Sequence, residues 1–279
     1  MKKVWITGEN GFIAKNFQRV LGDRYVFENS LDNVYYDYWR QNSQFNNKEI
    51  DIFDPTLETL IERADVDFII HAADSKRLNK PEHMLRTNVE GSYYIAQISK
   101  NLNIPVIYLH GLDTYFSHYY YNISKENALQ ILKKEGKVVS VSSSTVFGPF
   151  DFFNPIGRLI KSSVDNSIAN IKVYSIEDKT SFVYIDDFLN ALDLIIQNFH
   201  SINDEIRIVS SFSHSLEEVL EYFDFNDISI DFNIEEDVDG LCYTYREPND
   251  SERYVQHYGW EEEYTLKSGL EEARRIWLN

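Results

Sequence analysis

The residues His110 to Lys125, HGLDTYFSHYYYNISK, crowd four tyrosines and a lysine into sixteen positions. Tyr115, Tyr119 and Tyr120 have Tyr119, Ile123 and Ser124 four residues on, whereas Tyr121 has Lys125. Residues i and i+4 share one face of a helix, so an ammonium comes to lie beside this phenol and no other. A free phenol ionises near pH ~10, and a neighbouring cation favours the phenolate. Tyr121 is the tyrosine of the four that such a partner brings toward acid/base range.

A second chemical signal stands at the N-terminus, where KVWIT (3–7) runs into Gly8-Glu9-Asn10-Gly11-Phe12-Ile13-Ala14 and then into an apolar-periodic stretch. Glycines let the chain turn sharply and let backbone approach a pyrophosphate, whose charge then sits among the unpaired N–H groups of a helix N-terminus. Ala14 is small enough for helix and strand to pack. This context predicts a dinucleotide site. Twenty residues after Gly8, Glu28 ends the next strand, where a carboxylate accepts from ribose hydroxyls and favours NAD; Asn29 and Ser30, with Arg24 or Arg40 nearby, leave NADP open.

These groups need a scaffold. Six short apolar runs read as strands: KVWIT (3–7), RYVFE (24–28), EIDIF (49–53), DFIIHAA (67–73), PVIYLH (105–110) and KVVSVS (137–142). Helical patterns begin near Phe12, Thr56, Pro81 and Tyr121, each about long enough for the right-handed crossover that parallel strands require. The expected fold is α/β, a doubly wound parallel sheet of Rossmann type over residues 1–150. From 151 to 279 the pieces are shorter and more polar, and are expected to form a small substrate lobe with some elements returning to the main sheet.

A formal charge of -18, from 45 acidic against 27 basic residues, repels phosphate backbones and argues against nucleic acid. One cysteine, Cys242, forms no internal disulfide, and no Cys/His cluster has zinc spacing, so neither a disulfide framework nor a structural metal is expected. The apolar run at the N-terminus breaks at Gly8, too early for a signal peptide, and no eighteen-residue apolar segment follows. A soluble, cytoplasmic protein with no membrane partner is the expectation.

Taken in order, the motifs resemble the extended short-chain dehydrogenase/reductases, the family of NAD-dependent epimerases, dehydratases and reductases of nucleotide sugars. TGENGFIA resembles its cofactor loop, and DIFD (51–54) its adenine-contacting segment, which implies that Asp51 and Ile52 lie against the base. HAA (71–73) is similar to the strand end beneath the cofactor, so Ala72 and Ala73 are implied there, and Asn88 in RTNVEGS matches a helix asparagine that supports the site. STVFGP (144–149), SFVYIDD (181–187), and Asp250 with HYGW (257–260) and LKSGLEEARRIW (266–277) resemble later family segments. The resemblance implies Tyr121 as acid/base, Lys125 as the group that lowers its pKa and holds the cofactor ribose, and a homodimer through the helices carrying Asn88 and Tyr121. On the substrate side it implies Asp74, Thr145, Arg158 and Arg246, with Lys161 and Lys172 as further phosphate candidates.

Two departures bear on the activity. Where the family places a serine or threonine after its fifth strand, this chain has Gly111, with Thr114 and Ser117 nearby to supply a hydroxyl; His110 reads as a packed strand-end histidine or, alternatively, as a donor. The dehydratase Asp-Glu pair is replaced by Leu112-Asp113, which argues against 4,6-dehydration, and the region expected to hold a diphosphate-binding arginine reads EEDVDGL. The expectation is a sugar-nucleotide epimerase or 4-ketoreductase; the alternative is an impaired relative that binds a dinucleotide as a sensor or interaction protein.

Overall fold

A computed structural model of the chain describes residues 1–28, 52–75, 81–111, 119–152, 154–172, 176–202, 205–223, 228–231 and 254–278. Among these residues the centre is a six-stranded sheet in the order β2-β1-β3-β4-β5-β9, with every pairing parallel. The strands are β1 (Lys2–Thr7), β2 (Tyr25–Phe27), β3 (Phe68–His71), β4 (Val106–Gly111), β5 (Val138–Ser143) and β9 (Glu205–Ile208). They alternate with α1 (Phe12–Leu21), α2 (Leu57–Ala64), α3 (Pro81–Leu85), α4 (Gly91–Leu102) and α5 (Tyr119–Glu135). Between β5 and β9 come β6 (Thr145–Phe147), α6 (Pro155–Asp165), β7 (Ala169–Lys172), β8 (Lys179–Tyr184) and α7 (Ile185–Gln197). After β9 follow β10 (Ser213–Ser215), α8 (Leu216–Leu220), β11 (Ile228–Asp231) and α9 (Leu266–Leu278).

Alternation along the strands explains two cores. Val4, Ile6, Phe68, Ile70, Ile107 and Leu109 face one layer, with Phe17 and Leu21 of α1 and the apolar side of α7. Trp5, Ile69, Val106 and Tyr108 face the other, against Ile61, Ile95, Ala128 and Leu132 of α2, α4 and α5. Side chains of successive strand residues point to opposite faces, so a sheet covered on both sides reads as the continuous apolar runs seen in the sequence.

One expected strand is described only at its end. Of EIDIF, residues 49–51 lie outside the described residues, while Ile52 and Phe53 form a turn. The cause is Asp54: its side chain accepts from Thr56 N–H at 2.8 Å and from the Thr56 hydroxyl at 2.6 Å, and its carbonyl accepts from Leu57 N–H at 3.0 Å. These bonds stop extended chain before α2. The sixth strand of the sheet is β9, from the C-terminal part, in register with β5 from Ser140 opposite Glu205 to Ser143 opposite Ile208.

The C-terminal segment is tied back by Asp187 on α7. Its buried carboxylate accepts from the N–H groups of Glu263 and Tyr264, each at 3.0 Å, and its carbonyl accepts from Trp260 Nε1 at 3.0 Å. Burial raises the carboxyl pKa to about 6, against the opposing pull of those two N–H bonds. Asp187→Ala leaves both N–H groups unpaired and opens a void, so it should lower unfolding free energy by about 2–4 kcal/mol in a urea titration.

Candidate functional site

In an open parallel sheet, ligands bind where neighbouring strands send their chains to opposite sides. Here that point lies beside β1, whose neighbours are β2 and β3. Gly8, at the end of β1, has φ +75, and a Cβ there would come within 3.1 Å of Ala73 Cα and 3.2 Å of Ala73 N. Gly11 N–H donates to Gly8 O at 2.8 Å, and a Cβ on Gly11 would meet that oxygen at 2.9 Å. The loop is thus shaped by the absence of two side chains. Gly11 is also the N-cap of α1, with no side-chain cap and no acid in the first turn, which leaves a helix N-terminus suited to an anion. Phe12 and Ile13 anchor the start of α1 against the core. Asn10 sits in the loop, and Glu28 closes β2, its N–H donating to Val4 O at 3.1 Å. Ile52 packs against Gly91, where a Cβ would come 3.0 Å from its Cδ1.

From this loop a chain of hydrogen bonds leads to Tyr121. The N–H groups of Ala72 and Ala73 donate to Thr7 Oγ1 at 3.1 and 3.0 Å. Thr7 Oγ1 lies 2.8 Å from His71 Nδ1, and His71 Nε2 lies 2.8 Å from Ser92 Oγ. Because the Ser92 hydroxyl donates to Asn88 O at 2.6 Å, its oxygen accepts from His71 Nε2–H. The Thr7 hydroxyl then donates to Nδ1, an assignment that follows from the network. Asn88 holds the loop after β3 from both sides, accepting from Ser75 N–H at 2.7 Å and donating to Ser75 O at 3.1 Å. It also donates to Ser124 Oγ at 2.9 Å, and the Ser124 hydroxyl donates to Tyr121 O at 2.6 Å. Asn88 reaches these groups from a π turn, Arg86–Glu90, whose widened bond runs from Gly91 N–H to Arg86 O.

At the far end, the Tyr121 hydroxyl donates to Asp74 Oδ2 at 2.6 Å. Lys125 is buried; its Nζ donates to Leu109 O at 3.1 Å and lies 4.6 Å from the centre of the Tyr108 ring. Burial lowers the pKa of Lys125, and Asp74 raises it again in part. A phenol with a mobile proton, a buried ammonium and a carboxylate thus meet at the ends of β3 and β4 beside the glycine loop. Such a group has the chemistry needed for proton transfer.

The structure links Asp74 and Asn88 to Tyr121 and seats Gly8 against Ala73. Thr145 opens β6, where its buried Oγ1 has no hydrogen bond among the described residues. Arg158 on α6 donates to Asn170 O at 2.9 Å, linking that helix to β7. Asp51, Thr114, Ser117 and Arg246 lie outside the described residues. Gly111 is exposed, and a Cβ there would meet nothing within 4 Å. His110 stacks on Tyr108 with ring centroids 5.6 Å apart, and its enclosed Nε2 has no partner among the described residues. Sequence reasoning passed over Thr7, His71, Ser92 and Ser124. Their signal was a polar residue at the end of each of two strands, Thr7 opposite His71 in the sheet, and serines facing them from α4 and α5.

The fold and site define an α/β protein with a parallel sheet of Rossmann type, a glycine turn at the end of β1, and a tyrosine and lysine one helical turn apart. Residues 4–115 match the model of the NAD dependent epimerase/dehydratase family. A curated relative, the UDP-2-acetamido-2,6-beta-L-arabino-hexul-4-ose reductase of Pseudomonas aeruginosa, is 27% identical over 241 residues, 79% of this chain. The chain spans only 57% of that relative's length. Among solved structures, UDP-glucuronic acid 4-epimerase from Bacillus cereus, in complex with UDP-glucuronic acid and NAD, aligns with TM-score 0.73 at 17% identity, covering 99% of this chain and 98% of the other. RMD from Pseudomonas aeruginosa, complexed with NADPH, aligns at 0.68 with 15% identity, covering 100% and 99%. Among the described residues no helix is long and apolar enough to cross a membrane, and no three acidic, His or Cys side chains gather as a metal site.

Burial sets a pH dependence of stability. Burial and Lys125 lower the pKa of His71 from 6.5 to about 3 and that of His110 to about 4, so both protonate in the unfolded chain first. Between about pH 4 and 6.5 each contributes stability that is present at higher pH and lost as pH falls. Asp187, whose folded value is raised, acts in the opposite sense over about 4 to 6. The net is about one proton, so unfolding free energy should fall by about 1.4 kcal/mol per pH unit from pH 6 to 5. Urea titrations across that range, repeated with His71→Gln to remove one of the two contributions, check the sign.

Proposed function

We propose that the chain is an NAD(P)-dependent enzyme acting on a nucleotide-linked sugar, as a 4-ketoreductase or an epimerase, with Tyr121 as acid/base. The observation that carries this reading is the Tyr121 hydroxyl, backed by buried Lys125 and held through Ser124 and Asn88 beside the glycine loop. A nicotinamide bound there supplies or accepts a hydride. The residues fit it: Gly8 and Gly11 leave room for pyrophosphate against α1, Glu28 stands at the strand end suited to ribose hydroxyls, and Ala72 and Ala73 form a small-residue floor. Glu28 favours NAD, with NADP possible.

Tyr121 donates its proton to the oxygen of a sugar carbonyl as the carbon is reduced, or removes it from a hydroxyl in the reverse sense. Lys125 supports the phenolate, and Asn88 keeps helix α5 in place. Thr114 or Ser117 supplies the hydroxyl absent at Gly111, and Asp74, Thr145, Arg158 and Arg246 bind substrate. The likeness to a hexul-4-ose reductase supports reduction as the first reaction to assay. The exposed Tyr93 and Tyr94 on α4, with Leu85 of α3, support a homodimer through the helices that carry Asn88 and Tyr121. A single cysteine fits the reducing cytoplasm to which we assign it.

Gly111 favours a second reading, a dinucleotide-binding sensor of the same fold. A panel of sugar nucleotides separates the two when both reduced-nicotinamide absorbance and isomer formation are followed, because a redox-neutral epimerase changes no net absorbance. Tyr121→Phe should lower turnover by about 10²-fold or more while changing dinucleotide affinity by less than about twofold; undiminished activity refutes the role of Tyr121. Gly111→Ser has room for its side chain, and in an enzyme it should raise kcat by about tenfold by restoring a donor to the reacting oxygen. In a sensor it creates no turnover.

A further inference from the structure

We propose that Asn16 of α1 is a positioning residue through which a dinucleotide seated at the glycine loop orders residues 148–152, the loop that leads from β6 and Thr145 to α6 and Arg158. This rests on the reading of Gly8 to Gly11 as a dinucleotide site. Asn16 is fully buried one turn into α1, and its amide is engaged at both ends. Nδ2 donates to Phe12 O at 3.0 Å, within the helix, and to Pro149 O at 2.9 Å, across to the loop after β6. Oδ1 accepts from Arg19 Nε at 2.9 Å, which fixes the end of the amide that faces Pro149. The Arg19 guanidinium pairs in turn with both carboxylate oxygens of Asp186, in the first turn of α7. Asparagine is a poor residue for a helix interior, and this cross-link accounts for its place there.

The loop it holds is a strained one. Phe150 has φ +68, in the left-handed region that a residue with a Cβ enters at a cost. Such a conformation persists where its surroundings over-determine it. From α1 comes the bond of Asn16 to the carbonyl immediately before Phe150. From α9 comes Trp277, whose ring lies 6.0 Å from that of Phe150 and 5.5 Å from that of Phe152. The ends of the loop are fixed separately. Gly148 is packed so closely that a Cβ would come 2.4 Å from Ile185 Cγ2 of α7, while Asn154 caps α6 by accepting from Ile156 N–H at 2.7 Å and donates to Val146 O at 3.0 Å.

The first turn of α1 is where the two halves of the proposal meet. Gly11 is its N-cap, and Phe12 O is the carbonyl that Asn16 binds together with Pro149 O. A ligand that orders this turn therefore steadies the backbone on which Phe150 depends, although it need not touch the loop. Under the proposed function, the substrate side is steadied when the dinucleotide is in place.

Hydrogen exchange of the full chain, with and without saturating NAD+, tests this without turnover. In the wild-type protein NAD+ should slow exchange at Gly8 to Phe12 and also, by about threefold or more, at Gly148 and Phe150 to Phe152. In Asn16→Leu, close in size and without a donor, the slowing at Gly8 to Phe12 should remain and that at 148–152 should disappear. Arg19→Gln, at a partly exposed position, frees the amide to turn and should give the same loss in smaller measure, so the comparison survives if Asn16→Leu does not fold. Slowing confined to the glycine loop of the wild type overturns the proposal. So does slowing at 148–152 that the variants retain, whether it comes from direct contact with the ligand or leaves Asn16 as a merely structural tie. A glycine loop that responds to neither NAD+ nor NADP+ refutes the dinucleotide reading itself, and the proposal with it.

Discussion

His71 is buried between Thr7 and Ser92, and because an imidazolium there would be stripped of water in the field of Lys125, it stays neutral, with one donor and one acceptor. That requirement orders its surroundings. Nδ1 must receive a proton from Thr7, so the Thr7 oxygen is turned toward the N–H groups of Ala72 and Ala73. Nε2 must give one to Ser92, whose own proton goes to Asn88 O. Polar groups in a low-dielectric interior have few satisfactory arrangements, so a fully paired chain of them selects one geometry. Here that chain joins β1 and its glycine turn to the helix that presents Tyr121.

Lys125 extends the same logic. A buried ammonium is costly unless paired, and this one has a strand-end carbonyl, an aromatic face and, beyond them, Asp74. Tyr108 contributes to both halves of the arrangement. Its ring receives Lys125 and stacks with His110, while its hydroxyl donates to Lys125 O at 3.2 Å, so the strand that ends at Gly111 is fastened to α5. Among the described residues of this group, the interior members Lys125 and Tyr108 are paired and the exposed members are Asp74 and Gly111.

What could be read from the sequence was whatever is carried by short spacings. The glycine turn, the Tyr121–Lys125 pair, Asn88 and most strands depend on residues within one or two turns of each other, and they stand where the pattern put them. The Asp74–Tyr121 bond joins residues 47 apart that meet only because β3 and β4 are neighbours, and no local pattern encodes that contact. Asp74 was thus read as a substrate residue and not as the partner of the phenol. Of EIDIF only Ile52 and Phe53 are described, and the hydrogen bonds of Asp54 hold that end in a turn. The return of β9 to the main sheet was legible only in outline, since its pairing with β5 spans 65 residues, from Ser140 to Glu205.

The π turn at Arg86–Glu90 has a consequence for how this chain tolerates change in length. An α-helix advances about 100° per residue, and a π turn holds one residue more than the α turn it replaces. Deleting any single residue from 86 to 90 would let the turn close as ordinary helix. Because the wide turn absorbs its extra residue locally, α4 would keep nearly the same register against α3 and Ser92 its place beside His71; what would change is the direction in which residues 86 to 90, Asn88 among them, leave the helix. In this stretch the number of residues is itself a determinant of the site, independent of which residues they are.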